Sequence, residues 1–208
     1  MKAFLEIIQK GGPVMYPLLL CSVVALAISI ERLYSLTRAN TDPKKLMDKV
    51  KEAVRKRDFR VAIGYCDATP GPVANVLATV IDLRELPVEE VREGVNETVL
   101  SETPRLERGL PTLSTLITVS PLLGLLGTIT GLMKLFNIIA GGEIGNSEKL
   151  SSGIAEALIT TATGLIIAIT FMVIHNLLST RVDRILNQME KSVTELLNFI
   201  RTEDRKDV

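Results

Sequence analysis

In a chain of 208 residues with one histidine and two cysteines, the residues best placed to do chemistry are ionisable or hydroxyl groups inside apolar runs. Glu156 lies in IAEALITTATGLIIAITFMVIHN, a stretch whose one other ionisable residue is His175. A carboxylate in such a run is costly to bury; it reads as a place on an ion or proton path, or as a structural group near the outer end of its span bonded to a neighbouring helix. At 100° per residue, Thr160 and Thr163 share a helical face with Glu156, whereas Thr161 points about 140° away. A second run, VSPLLGLLGTITGLMKLF at 119–136, carries Thr128, Thr130 and Lys134. Its GLLGTITG segment superficially resembles a phosphate cradle but lacks the glycine-lysine-serine/threonine ending that such a loop requires. Gly127 and Gly131 stand four apart on one face, with Gly124 in the adjacent row, and with Gly164 they predict close helix packing. The hydroxyls can line a polar seam, or bond the preceding turn of their own helix. Lys134 reads as snorkelling outward from its span, and His175 as an inner-interface residue.

No zinc-type spacing and no nucleophile elbow occurs, so the residues predict no soluble enzyme and no metal or organic cofactor. Cys21 and Cys66 lie in different environments and predict neither a disulfide nor a metal site.

These groups must be held by membrane helices. The composition is 47% hydrophobic yet 23% charged, with zero formal net charge and a positive mean hydropathy of +0.30. Segregation reconciles the numbers: apolar blocks fill 13–30, 110–140 and 154–178, and the charges lie almost wholly between them. About 20 apolar residues at ~1.5 Å each cross the hydrocarbon of a bilayer, so each block can span. The expected fold is all-α, with three transmembrane helices, the second and third extended into the cytoplasm as a long helical bundle.

The expected organisation is an interfacial helix over 1–12, a first span over 13–34 and a cytoplasmic helical domain over 35–109. A second span follows over 110–140, then an outer loop over 141–153, a third span over 154–178 and a cytoplasmic helix over 179–208. Lys and Arg crowd 32–108 and the tail after 180, whereas 141–153 holds only Lys149. Basic residues remain on the cytoplasmic side, which places the N-terminus outside and the C-terminus inside. The first block reads as a retained span rather than a cleaved leader, because Glu6 precedes it and the run continues to Glu31-Arg32.

Within the large loop, Asp42-Pro43 predicts a helix start and Pro70-Gly71-Pro72 a break. The segment from Pro87 is expected to run through Leu106 and Leu110 into the second span, with kinks at Pro104 and Pro111. The apolar stripe from Val182 to Ile200 predicts that the third span continues as one long helix.

Three stretches together resemble the ExbB/TolQ/MotA group of ion-driven motor subunits, most closely ExbB and TolQ. They are GGPVMYPLLLCSVVALAISIERLYSL, RGLPTLSTLITVSPLLGLLGTITGLMKLF and IAEALITTATGLIIAITFMVIHN. The resemblance implies a bacterial inner-membrane homo-pentamer around a central pore, surrounded by membrane lipids and with no nucleic-acid partner. It implies an ExbD/TolR-like single-span partner whose membrane aspartate takes up protons, the coupling ion. It also implies a TonB/TolA-like periplasm-spanning protein as the driven component, in outer-membrane transport or, for a TolQ-like subunit, envelope integrity. Thr128 of GLLGT and Thr161 of ALITTA match the family threonines that face the partner aspartate, and Glu156 of IAEAL matches the family glutamate. Thr170 stands where the family often has proline. A flagellar-type stator subunit would have four spans, and a passive scaffold would need neither threonine.

Overall fold

The computed structural model of the chain describes residues 8–39, 43–142 and 147–204. Most of the expected 1–12 helix, and part of the 141–153 loop, lie outside the described residues. Among those residues the regular structure is entirely helical. The helices are α1 (Met15–Ala39), α2 (Pro43–Arg55), α3 (Phe59–Asp67), α4 (Pro72–Asp82), α5 (Val88–Glu107), α6 (Leu110–Ala140) and α7 (Ser147–Asp204).

Three segments are long and apolar enough to cross a membrane: Met15–Thr37, Leu110–Ala140 and Leu150–Glu203. In their most apolar windows only 22%, 28% and 33% of residues are buried by the chain itself. Large side chains such as Leu20, Val23, Leu126, Phe136, Ile166 and Ile169 are exposed. In water that much uncovered apolar surface would drive aggregation; in a bilayer it meets acyl chains. The protein is a multi-pass membrane protein.

The chain forms two compact units. The first comprises residues 1–31 and 109–177 and holds the apolar part of α1, all of α6 and the first half of α7. Its packing is built on small residues. A Cβ built on Gly131 would lie 2.8 Å from the Gly153 carbonyl oxygen and 2.9 Å from Ala157 Cβ. One built on Gly124 would lie 3.1 Å from Thr161 Cα, and one on Gly164 only 2.5 Å from the Ser120 carbonyl oxygen. As the number on α6 falls from 131 to 120, the partner number on α7 rises from 153 to 164, so the helices form an antiparallel hairpin. Lipid tails give no hydrophobic drive for helices to associate, so close backbone approach and its dispersion contacts must hold this hairpin.

The second unit comprises residues 32–108 and 178–208. At its centre is α4, short and nearly all apolar, with Val73, Ala74, Val76, Leu77, Val80 and Ile81 buried. Pro72 at its first turn supplies a preset φ where the backbone donor is not needed. Asn75 donates to Glu102 (2.9 Å) and Thr79 bonds Thr98 (3.0 Å), which sets α4 antiparallel to α5. Asp58 caps α3 by accepting from the Val61 amide. The stripe on the distal part of α7 is buried at Val182, Ile185, Met189, Val193, Leu196 and Ile200. Its period of three and four places one face inward for five turns. Arg32 is buried as well, and its guanidinium donates to the Arg105 carbonyl oxygen at 3.2 Å.

One expectation is overturned. The segment from Pro87 does not run as one helix into the second span. It ends at Glu107, and Gly109 takes a left-handed φ of 79° before α6 begins at Leu110. Glycine enters that region without the Cβ clash other residues meet, so Gly109, not a proline, makes the break. Pro104 remains inside α5, and Pro111 sits at the start of α6 where it costs nothing. By contrast α7 is unbroken for 58 residues, about 87 Å of helix.

Cys66 is buried on α3. Burial, with Asp67 next to it, pushes its thiol up to about 11. Its folded value lies above that of an unfolded cysteine, so the neutral thiol favours the fold below about pH 8.5. That contribution is lost as pH rises through about 11. Maleimide modification of Cys66 in the native protein at pH 8 should run about 100-fold slower than for an unfolded thiol. Time-resolved mass spectrometry of the Cys66 peptide measures this; equal rates would refute it.

Candidate functional site

The α6–α7 hairpin brings together most of the polar residues singled out in the spans. Glu156 and Thr160 are buried, Thr163 is half-buried, and all three descend one flank of α7. A Cβ on Gly127 would run into the Thr160 side chain, so a glycine on α6 is what admits this threonine. Thr160 Oγ1 donates to the Glu156 and Ala157 carbonyl oxygens at 2.9 and 3.1 Å. Thr163 Oγ1 donates to the Ile159 carbonyl oxygen at 2.7 Å. Thr128, half-buried on α6, donates to the Leu125 carbonyl oxygen, and Thr130 to that of Gly127.

This bonding to the preceding turn satisfies a hydroxyl without a partner helix. Thr161 differs. Its Oγ1 crosses to α6 and donates to the Gly124 carbonyl oxygen at 2.9 Å. That carbonyl is reachable because Gly124 has no side chain in the way. Thr161 and Glu156 therefore address different neighbours on the hairpin. Thr170, on the same helix, donates to the Ile166 carbonyl oxygen and interrupts nothing.

Glu156 has a partner that helical periodicity does not reveal. The Lys134 ammonium donates to both carboxylate oxygens at 2.7 Å. The Glu156 side chain is 9% exposed and that of Lys134 50%. The expectation that Lys134 snorkels outward is thus corrected: the antiparallel hairpin sets it opposite Glu156, and pairing there outweighs reaching for water.

Gly12 closes another side. It sits at a left-handed φ of 67°, and any Cβ there would strike the Glu156 carboxylate. Gly11-Gly12-Pro13 therefore does more than turn the chain into the first span. Its glycine lets backbone lie against an ionic group. The signal for Lys134 was available. It lies six residues before α6 ends and Glu156 nine after α7 begins, so a tight hairpin sets opposite charges at similar heights. Gly12 carried no such signal, because its contact spans more than 140 residues of chain.

Among the described residues no cluster of histidine, cysteine, aspartate and glutamate could hold a metal ion. Chemically the arrangement is an ion-paired carboxylate within largely apolar helices, flanked by hydroxyls.

The pattern of the family described as MotA/TolQ/ExbB proton channel family matches residues 68–191, which include α4, α5, α6 and most of α7. The chain is 36% identical over 172 residues to biopolymer transport protein ExbB-like 1 of Synechocystis, covering 81% of this chain and 68% of that one. It is 27% identical over 205 residues to biopolymer transport protein exbB1 of Vibrio cholerae, covering 96% and 88%. It is 38% identical over 104 residues to the Tol-Pal system protein TolQ of Haemophilus influenzae, covering 50% and 46%. With the family pattern spanning more than half its length, and the second and third spans with the buried Glu156 inside it, the chain belongs to the MotA/TolQ/ExbB proton channel family.

Proposed function

We propose that this chain is the channel-forming subunit of an inner-membrane motor that turns proton flow into mechanical work on a periplasm-spanning partner. The observation that carries the reading is the buried Glu156 carboxylate, paired with Lys134, inside a hairpin of two largely apolar spans. An ionic group in that position is functional by default. The Glu156–Thr160–Thr163 flank and the Thr161 hydroxyl are the proposed polar path, with Thr128 opposite a partner's acid. The glycines 124, 127, 131 and 164 hold the hairpin.

Residues 110–140 and 154–178 hold no acid besides Glu156, which lies near one end of its span. A single-span partner with a membrane aspartate, of the ExbD or TolR kind, would supply a second acid. The proposed assembly is a homo-pentamer, with the N-terminus periplasmic and the C-terminus cytoplasmic. The crowding of Lys and Arg in 32–108 and after 180 supports that orientation. The role favoured is ExbB-like energising of outer-membrane transport, supported by ExbB-named relatives that match 81% and 96% of the chain. Relatives named TolQ match up to 77% of it, which supports a TolQ-like role in envelope integrity as the second reading.

Affinity purification from native membranes, with identification of the co-purifying single-span protein and of the periplasm-spanning protein bound to it, separates the two. Purification of the chain alone, without any single-span protein, would overturn the motor reading. In the reconstituted complex, Thr161→Val should reduce proton flux by up to about tenfold, the scale of one lost hydrogen bond, while Thr161→Ser keeps it. Normal flux in Thr161→Val would remove the hydroxyl from the path.

A further inference from the structure

We infer that Lys134 is a positioning residue that gates Glu156: the ammonium and the transported cation compete for the same carboxylate. The inference rests on the reading of Glu156 as part of the ion path.

Three observations carry it. A single ammonium contacts both oxygens, at 2.7 Å each, so neither is left without a charge-assisted bond. The carboxylate is enclosed, and Gly12 backbone packs against it so tightly that no side chain fits between. The Lys134 side chain, in contrast, is half exposed. Of the two partners, Lys134 is the one whose side chain reaches the surroundings. A cation arriving there meets a like charge and an occupied site.

Uptake is an exchange. A proton binds one carboxylate oxygen as the ammonium withdraws, and the ammonium returns when the proton leaves, so the net charge at the pair rises by one and falls again. Lysine suits such a device. Its charge is a compact point on a flexible four-carbon stem, and half exposure gives it somewhere to withdraw to. The spacing adds to the case. Glu156 and Lys134 lie on the two helices that Gly131 and Gly153 bring into backbone contact, so the pair sits on a rigid hairpin and only the stem need move.

The test uses the complex as it co-purifies with its single-span partner, in vesicles, with dicyclohexylcarbodiimide as the probe. The reagent adds to a protonated carboxyl buried in an apolar setting, and mass spectrometry of the 150–180 region reads modification of Glu156. Wild type should label slowly. Lys134→Met should raise labelling about tenfold, within the range by which contacting groups couple. Lys134→Gln, which keeps a polar tip without the charge, should do the same, so that poor folding of the methionine variant leaves the test intact. Lys134→Arg should keep labelling within about twofold of wild type, because its fork can also hold both oxygens.

A static ion pair would also label faster once its lysine is removed, so proton flux is read beside labelling: a gate gives higher flux in Lys134→Met and Lys134→Gln, and flux at or below wild type in both overturns it. Equal labelling in wild type, Lys134→Met and Lys134→Gln overturns the gate. Glu156→Gln separates this from the ion-path reading. If that variant conducts protons normally, the path reading fails and takes the gate with it. If it does not conduct, yet Lys134→Met labels like wild type, only the gate fails.

Discussion

Replacing Gly164 by valine should strongly lower the yield and the melting temperature of the folded protein. A Cβ at this position would lie 2.5 Å from the Ser120 carbonyl oxygen and 3.2 Å from Gly124 Cα. Both are backbone atoms of α6, so no rotamer change relieves the clash. The helices must part instead. Parting breaks the bond from Thr161 to the Gly124 carbonyl and loosens the contacts at Gly127 and Gly131. Overpacking costs about 1–3 kcal/mol, and the lost interhelical hydrogen bond adds roughly 1 kcal/mol. Against a typical stability of about 5–15 kcal/mol this is a large fraction, and within a bilayer no hydrophobic gain offsets it. Thermal melting of the detergent-solubilised protein measures the effect. Gly64→Ala is the contrast: it lies exposed on α3 with nothing within 4 Å of a built Cβ. That change should be neutral or stabilise by up to ~1 kcal/mol, the difference in helix propensity. Unaltered melting of Gly164→Val would show that the hairpin is not packed as described.

Glu156→Gln should lower proton flux through the reconstituted complex by at least about 100-fold, the scale on which a positioned proton carrier acts. Its effect on assembly should be far smaller. Glutamine keeps the volume beside Gly12 and can still accept from Lys134. The lysine, half exposed, can turn outward rather than remain as a buried unpaired charge. A loss of about 1 kcal/mol is expected, as for a partly solvated ion pair rather than a fully buried one. Native mass spectrometry gives the assembly state, and a pH-sensitive dye in vesicles gives the flux. Parallel loss of assembly and flux would make Glu156 a structural residue.

The apolar spans were legible because a bilayer imposes a length and a composition that local sequence must meet by itself. The inward stripe of α7 from Val182 to Ile200 was legible for a similar reason: periodicity is local. The break before the second span was misread. Prolines at 104 and 111 drew attention, whereas the residue that turns the chain is Gly109, whose left-handed φ is a property of its backbone, not of its sequence neighbours.

What the sequence by itself determined is therefore the class of the molecule: an all-helical chain with three membrane-crossing segments and a carboxylate stranded in one of them. What only the tertiary structure decided is who meets that carboxylate. Lys134 is 22 residues away and Gly12 lies at the far end of the chain, yet both reach Glu156. Thr161 crosses to α6 while Thr128 and Thr160 bond their own turns. Such choices depend on the register and separation of two helices, set by glycines at 124, 127, 131 and 164 acting together. Helical periodicity assigns a residue to a face. Contact geometry decides which atoms on the opposing face it can reach.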